Sequence, residues 1–118
     1  MKTFYILLFA SISLLFGCAQ QNEIFYWGDY SSTLYDLTKD PNEKTLEAHK
    51  KELLSIFEYC DKQDKKVPPG VSCEYAYILL KEGKDEEGLS YLEKEITLYP
   101  ESAIFVNRIK AEYERGKK

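Results

Sequence analysis

Histidine, methionine and tryptophan occur once each in this 118-residue chain, and its three cysteines include no C-x-x-C pair. His49 therefore has no second imidazole or paired thiolate with which to build a transition-metal site, and no metal or cofactor is expected. Its neighbours Glu47, Lys50, Lys51 and Glu52 point to a wet helix face, so His49 reads as a surface residue without chemistry. A Ser/His/Asp or Cys/His set, a phosphate-cradling glycine loop and metal-ligand spacing are all missing from the sequence, which argues against an enzyme. Basic side chains number 16 against 20 acidic ones, for a net charge of −4. Without a basic stripe the chain has no electrostatic footprint for nucleic acid. Long apolar runs are also lacking. The longest, Phe4–Phe16, is broken by Ser11 and Ser13 and falls short of the roughly 20 residues that span a bilayer.

That run follows a single basic residue, Lys2, and reads as the apolar core of a signal peptide. It stops at Gly17-Cys18, where the polar stretch Ala19-Gln20-Gln21-Asn22-Glu23 begins. The arrangement resembles a bacterial lipoprotein signal, with Leu15, Gly17 and Cys18 at the expected positions. The resemblance implies cleavage before Cys18 and acyl chains on that residue, which together hold a protein on a membrane essentially permanently. Ala19, in place of an aspartate, implies the periplasmic face of the outer membrane. An uncleaved anchor or an ordinary secretory signal are the alternatives. The chain then divides into a leader over 1–17, a lipidated tether with an aromatic strip over 18–29, and a helical domain over 30–118.

With Cys18 assigned to lipid, Cys60 and Cys73 remain, on either side of a connector containing Val67-Pro68-Pro69-Gly70. In an oxidising compartment they could form a disulfide across a helical hairpin; two buried thiols packed as small apolar residues are the other reading. The strip Ile24-Phe25-Tyr26-Trp27-Gly28-Asp29-Tyr30 is the most aromatic part of the chain. Phe25, Tyr26, Trp27 and Tyr30 suit a docking surface, or else they pack onto their own domain and close its core.

Helical periodicity accounts for the remainder, giving an all-α fold. A short helix runs from Ser31 or Ser32 to Thr38. A second is expected to start with Asp40 as N-cap, Pro41 in the first turn and Glu43 closing a capping box. Its buried face is read as Leu46, Leu53, Leu54, Phe57 and Cys60. Beyond Pro68-Pro69-Gly70, a third helix offers Cys73, Ala76, Tyr77, Leu79 and Leu80 to the core, and Gly83 takes the left-handed position of the following turn. The acidic start Asp85-Glu86-Glu87 suits the positive end of a fourth helix carrying Leu89, Leu92, Ile96 and Tyr99. Past Pro100 a last helix turns Phe105, Val106, Ile109 and Tyr113 inward.

Ala76, Gly88 and Pro100 stand twelve residues apart, and the run from Ile78 to Lys94 resembles the second half of a tetratricopeptide repeat. In that family small residues let two antiparallel helices cross closely and proline closes the unit. Ser72 stands where the family has tryptophan, and Glu95 where it has a small residue. One and a half units are few for a solenoid, which points to a stable partner. Tyr26-Trp27-Gly28-Asp29-Tyr30, Leu34-Tyr35, Val67-Pro68-Pro69-Gly70 and Tyr99-Pro100-Glu101-Ser102 together resemble a family of small outer-membrane lipoproteins known only as a domain of unknown function. Members are typically encoded beside a lipoprotein like the curli secretion channel. The resemblance implies an accessory subunit of an envelope assembly. The expected function is therefore a membrane-anchored helical adaptor, docking through the strip or through Tyr75 and Tyr91 on the hairpin. A peptide-binding or chaperone-like module is the alternative, and a structural lipoprotein without a specific partner is the next.

Overall fold

The computed structural model describes Met1 and residues 23–118; the leader, Cys18 and residues 19–22 of the tether lie outside the described residues. The described chain is helical throughout: α1 (Tyr30–Lys39), α2 (Glu43–Lys62), α3 (Val71–Lys81), α4 (Asp85–Leu98), a 3-10 turn (Pro100–Ser102) and α5 (Ala103–Gly116). No strand occurs among the described residues. None of these helices is long and apolar enough to cross a membrane.

The start of α2 lies two residues later than expected. Asn42, not Asp40, is the N-cap: its side chain accepts from Thr45 N, and Thr45 Oγ1 accepts from Asn42 N, which closes the box. Asp40 instead ends α1, its N–H donating to Asp36 O at 3.0 Å. Pro41 sits between the two helices, where its fixed φ and missing N–H interrupt neither. The buried stripe of α2 is His49, Leu53, Ile56 and Cys60. Spacings of four, three and four keep these on one face, whereas Leu54 is one position off and 42 % exposed.

Helix α3 is central and buried almost all round. Val71, Tyr75, Ile78 and Leu79 join Leu53, Ile56 and Cys60 of α2 in one core cluster. Cys73, Ala76 and Leu80 join Leu92 of α4 and Val106 of α5 in a second. Two stripes at helical spacing are thus superposed on eleven residues, and Tyr77, which belongs to neither, is exposed. In α5 only Val106 is fully buried; Ile109 and Tyr113 pack at the edge of the second cluster, while Phe105 turns outward.

The α3–α4 turn rests on Gly83, whose φ of +77° is one that side chains rarely adopt. The two helices then cross in close contact. A Cβ on Gly88 would lie 2.8 Å from Cγ and Cδ2 of Leu80 and 3.1 Å from Ala76 O. Hydrogen in place of a side chain is what allows this approach.

Candidate functional site

A groove of about 830 Å³ lies between α2 and α4. Its apolar walls include Leu54, Phe57, Val67, Tyr91 and Leu98, and the exposed charges Glu58, Asp61, Lys65 and Lys94 line it as well. Tyr91 lies between Phe57 (centroids 5.1 Å apart) and Tyr75 (4.7 Å, edge to face), with Lys94 over its ring. Tyr75 is 4 % exposed and supports the wall from within, so of the two hairpin tyrosines only Tyr91 presents surface. Ser72 contributes a buried hydroxyl that has no hydrogen-bond partner.

The aromatic strip does not project as a free docking arm. Phe25 meets Tyr99 edge to face, Tyr26 stacks on Tyr59 at 3.7 Å, and Trp27 leans on Tyr30 at 5.2 Å. Gly28 has a φ of +50°, and a Cβ there would collide with the Glu52 carboxylate, which accepts from Asp29 N at 2.8 Å. Only Trp27 and Ile24 keep substantial apolar exposure, and the strip forms one wall of the first core cluster.

His49 corrects the reading of a surface residue: it is fully buried. Its Nε2 donates to Glu74 Oε1 at 2.8 Å, and its Nδ1 meets Thr33 Oγ1 at 2.8 Å. Tyr30 OH donates to the second Glu74 oxygen at 2.7 Å. One polar node therefore ties α1 (Tyr30, Thr33), α2 (His49) and α3 (Glu74). With a neutral ring, the Thr33 hydroxyl donates to Nδ1. With a charged ring it accepts, and its proton can turn to Tyr30 O at 3.1 Å. Every group finds a partner either way, as a buried node requires.

Glu95 is buried as well, and its Oε1 accepts from Gly70 N at 2.8 Å. Gly70 is the N-cap of α3, and position N3, whose side chain takes the N-cap amide in a capping box, is Cys73, so the last turn of α4 supplies the acceptor. Cys60 and Cys73 are both free thiols, and each belongs to a different core cluster. Of the two readings of these cysteines the structure shows the buried, unbridged thiols: Cys60 packs toward the α2–α3 core while Cys73 faces α4 and α5.

Burial disfavours ionisation of these thiols and phenols. Cys73 is pushed up to about 11, by burial and then by the Glu95 carboxylate. Tyr30 rises to about 12, by burial and then by its hydrogen bond to Glu74. Tyr75, Tyr91 and Tyr99 move in the same direction, chiefly through burial. A folded-state value above the unfolded one gives stability that is complete below the unfolded value and is lost as pH rises through the folded one. Urea denaturation midpoints should therefore hold steady up to about pH 9 and fall between about pH 9 and 12. Tyr30→Phe should flatten part of the decline above about pH 10, where its phenol is one of several buried groups, with Cys73, Tyr75, Tyr91 and Tyr99, that ionise more easily in the unfolded chain.

Among the described residues no group of three or more His, Cys, Asp or Glu is placed to hold a metal ion. What the fold defines is a small helical scaffold: a tightly crossed hairpin flanked by a long helix on one side and a half-paired helix on the other. A family model described as Domain of unknown function (DUF4810) matches residues 24–109. The chain belongs to that family, and the match begins at the aromatic strip. Comparison with curated proteins and with solved structures gives no match.

Proposed function

We propose that this protein is a lipid-anchored helical adaptor of the cell envelope, held by acyl chains on Cys18 at the periplasmic face of the outer membrane. In this reading it receives a segment of a second envelope protein in the groove between α2 and α4. The observation that carries the docking role is that groove, whose walls leave Leu54 and part of Tyr91 uncovered. The anchor rests on the resemblance of Leu15, Gly17 and Cys18 to a lipoprotein signal. A channel-like lipoprotein of the curli-secretion type is the partner the family resemblance favours.

Leu54→Arg is the discriminating variant, because it places a charge on the groove wall at a position that folding leaves exposed. Purification from detergent-solubilised membranes should recover one stoichiometric partner with the wild-type chain and none with Leu54→Arg, at unchanged thermal stability. A smear of many unfolded clients would instead indicate a peptide-binding module. A partner retained by Leu54→Arg would remove the groove from the interface. Metabolic labelling with palmitate should mark the wild-type protein and not Cys18→Ser; equal labelling of both would overturn the anchor.

A further inference from the structure

Helix α2 ends, α3 begins, α4 ends and α5 begins at one end of the bundle, and the described chain enters there as well. Three contacts fix the entry point: Phe25 on Tyr99, Tyr26 on Tyr59, and Tyr99 OH donating to Val67 O at 2.6 Å. The same end carries the two most exposed aliphatic side chains of residues 23–118 and one exposed phenylalanine. Ile24 is 82 % exposed on the strip, Ile104 79 % and Phe105 58 %, the last two in the first turn of α5. Lys65 and Lys66 lie over the rings of Tyr59 and Tyr99 at this end, and neither forms an ion pair among the described residues.

Chain length says what covers the patch. Four residues separate Cys18 from Glu23. Even fully extended, the segment from Cys18 to Glu23 spans at most about 18 Å. An acyl anchor on Cys18 therefore keeps Glu23, where the described chain enters this end of the bundle, within that distance of the headgroup layer.

We propose that Ile24, Ile104 and Phe105 form a bilayer-docking face that inserts into the membrane interface and fixes how the domain stands on the membrane. The inference rests on the lipid-anchor reading of Cys18. Lysines 62, 65 and 66 share this end with Glu23, Glu58, Asp61, Asp64 and Glu101, so its charge is slightly acidic. Attraction to anionic lipid is correspondingly weak, and apolar contact holds the face down, with Lys65 and Lys66 extending their ammonium groups to the phosphates. Docking should therefore depend little on salt.

A single-indole comparison tests this. In a Trp27→Phe background, Phe105→Trp places the only tryptophan on the proposed face, and Tyr77→Trp places it on the exposed side of α3. Both proteins are purified with their native N-terminus and reconstituted into phosphatidylethanolamine/phosphatidylglycerol vesicles, with or without brominated phospholipid, and the acylation state is read by mass on the same samples. Brominated lipid should lower Phe105→Trp emission about twofold and leave Tyr77→Trp unchanged, as expected for an indole at the interface. In acylated samples, quenching of Phe105→Trp by aqueous acrylamide alone overturns the bilayer face and leaves the patch to a protein. Equal quenching of both reporters by brominated lipid overturns the fixed orientation. An unmodified N-terminal mass overturns the anchor reading, and the proposal with it. Charged substitution of the patch (Ile104→Asp with Phe105→Asp) should abolish the protection of residues 103–106 from hydrogen exchange that vesicles confer.

Discussion

Gly88→Val is expected to cost about 3 kcal/mol or more of folding stability, a large share of the total. A single Cβ at this position already approaches Leu80 and the Ala76 carbonyl more closely than side chains tolerate, and valine adds two methyl groups to it. Overpacking commonly costs about 1–3 kcal/mol and more when backbone must yield. A domain of this size has only about 5–10 kcal/mol in total. Gly88→Ala is the graded version. Alanine gains about 1 kcal/mol of helix propensity, so a net loss of about 1–2 kcal/mol is expected after the clash. Leu80→Ala in the same chain should relieve part of that loss, giving a coupling energy that urea denaturation of the four proteins can measure. Additive losses would mean the hairpin is looser than this contact indicates.

His49→Ala should cost about 3 kcal/mol, because it opens a cavity in a site without solvent and strips Glu74 and Thr33 of their partner. The loss should concentrate in α1. That helix has no fully buried residue of its own and is held by Tyr30 and Thr33 at the polar node and by packing on α2. Hydrogen exchange should show α1 amides opening far more in His49→Ala than those of α3 and α4. Uniform exposure of all helices would make the node part of a single cooperative unit. Thr33→Val, which removes only one arm, should reproduce the effect at about 1 kcal/mol.

The sequence announces the helices clearly and their inward faces less so. Alternation of periodic apolar residues with Pro68-Pro69-Gly70, Gly83 and Pro100 is enough to place α2 to α5, because these breakers act locally. His49 is harder. It continues the spacing of Leu46, Leu53, Ile56 and Cys60, but its charged neighbours Lys50 and Lys51 conceal that register. Its partners Thr33 and Glu74 lie 16 and 25 positions away, where no local pattern connects them. Ile104-Phe105-Val106 fails for the opposite reason: three consecutive large apolar residues fit the core equally well, and only packing against Leu92 selects Val106. Glu95 left one trace. Cys73 at the third position of α3 has no carboxyl or amide to take the Gly70 amide as a capping box would, so a more distant acceptor must.

The way the strip is laid down also determines how the molecule responds to tension. Its contacts run in sequence along α2, from Phe25 and Tyr26 beside Tyr99 and Tyr59, through Asp29 at Glu52, to Tyr30 near His49. A pull on the chain at Glu23 bears first on Phe25 and Tyr26, the attachments nearest that point. Six residues, Ile24–Asp29, can peel away and add about 20 Å of slack before any helix is strained. The α3–α4 hairpin, reached last, stays folded while the leash lengthens.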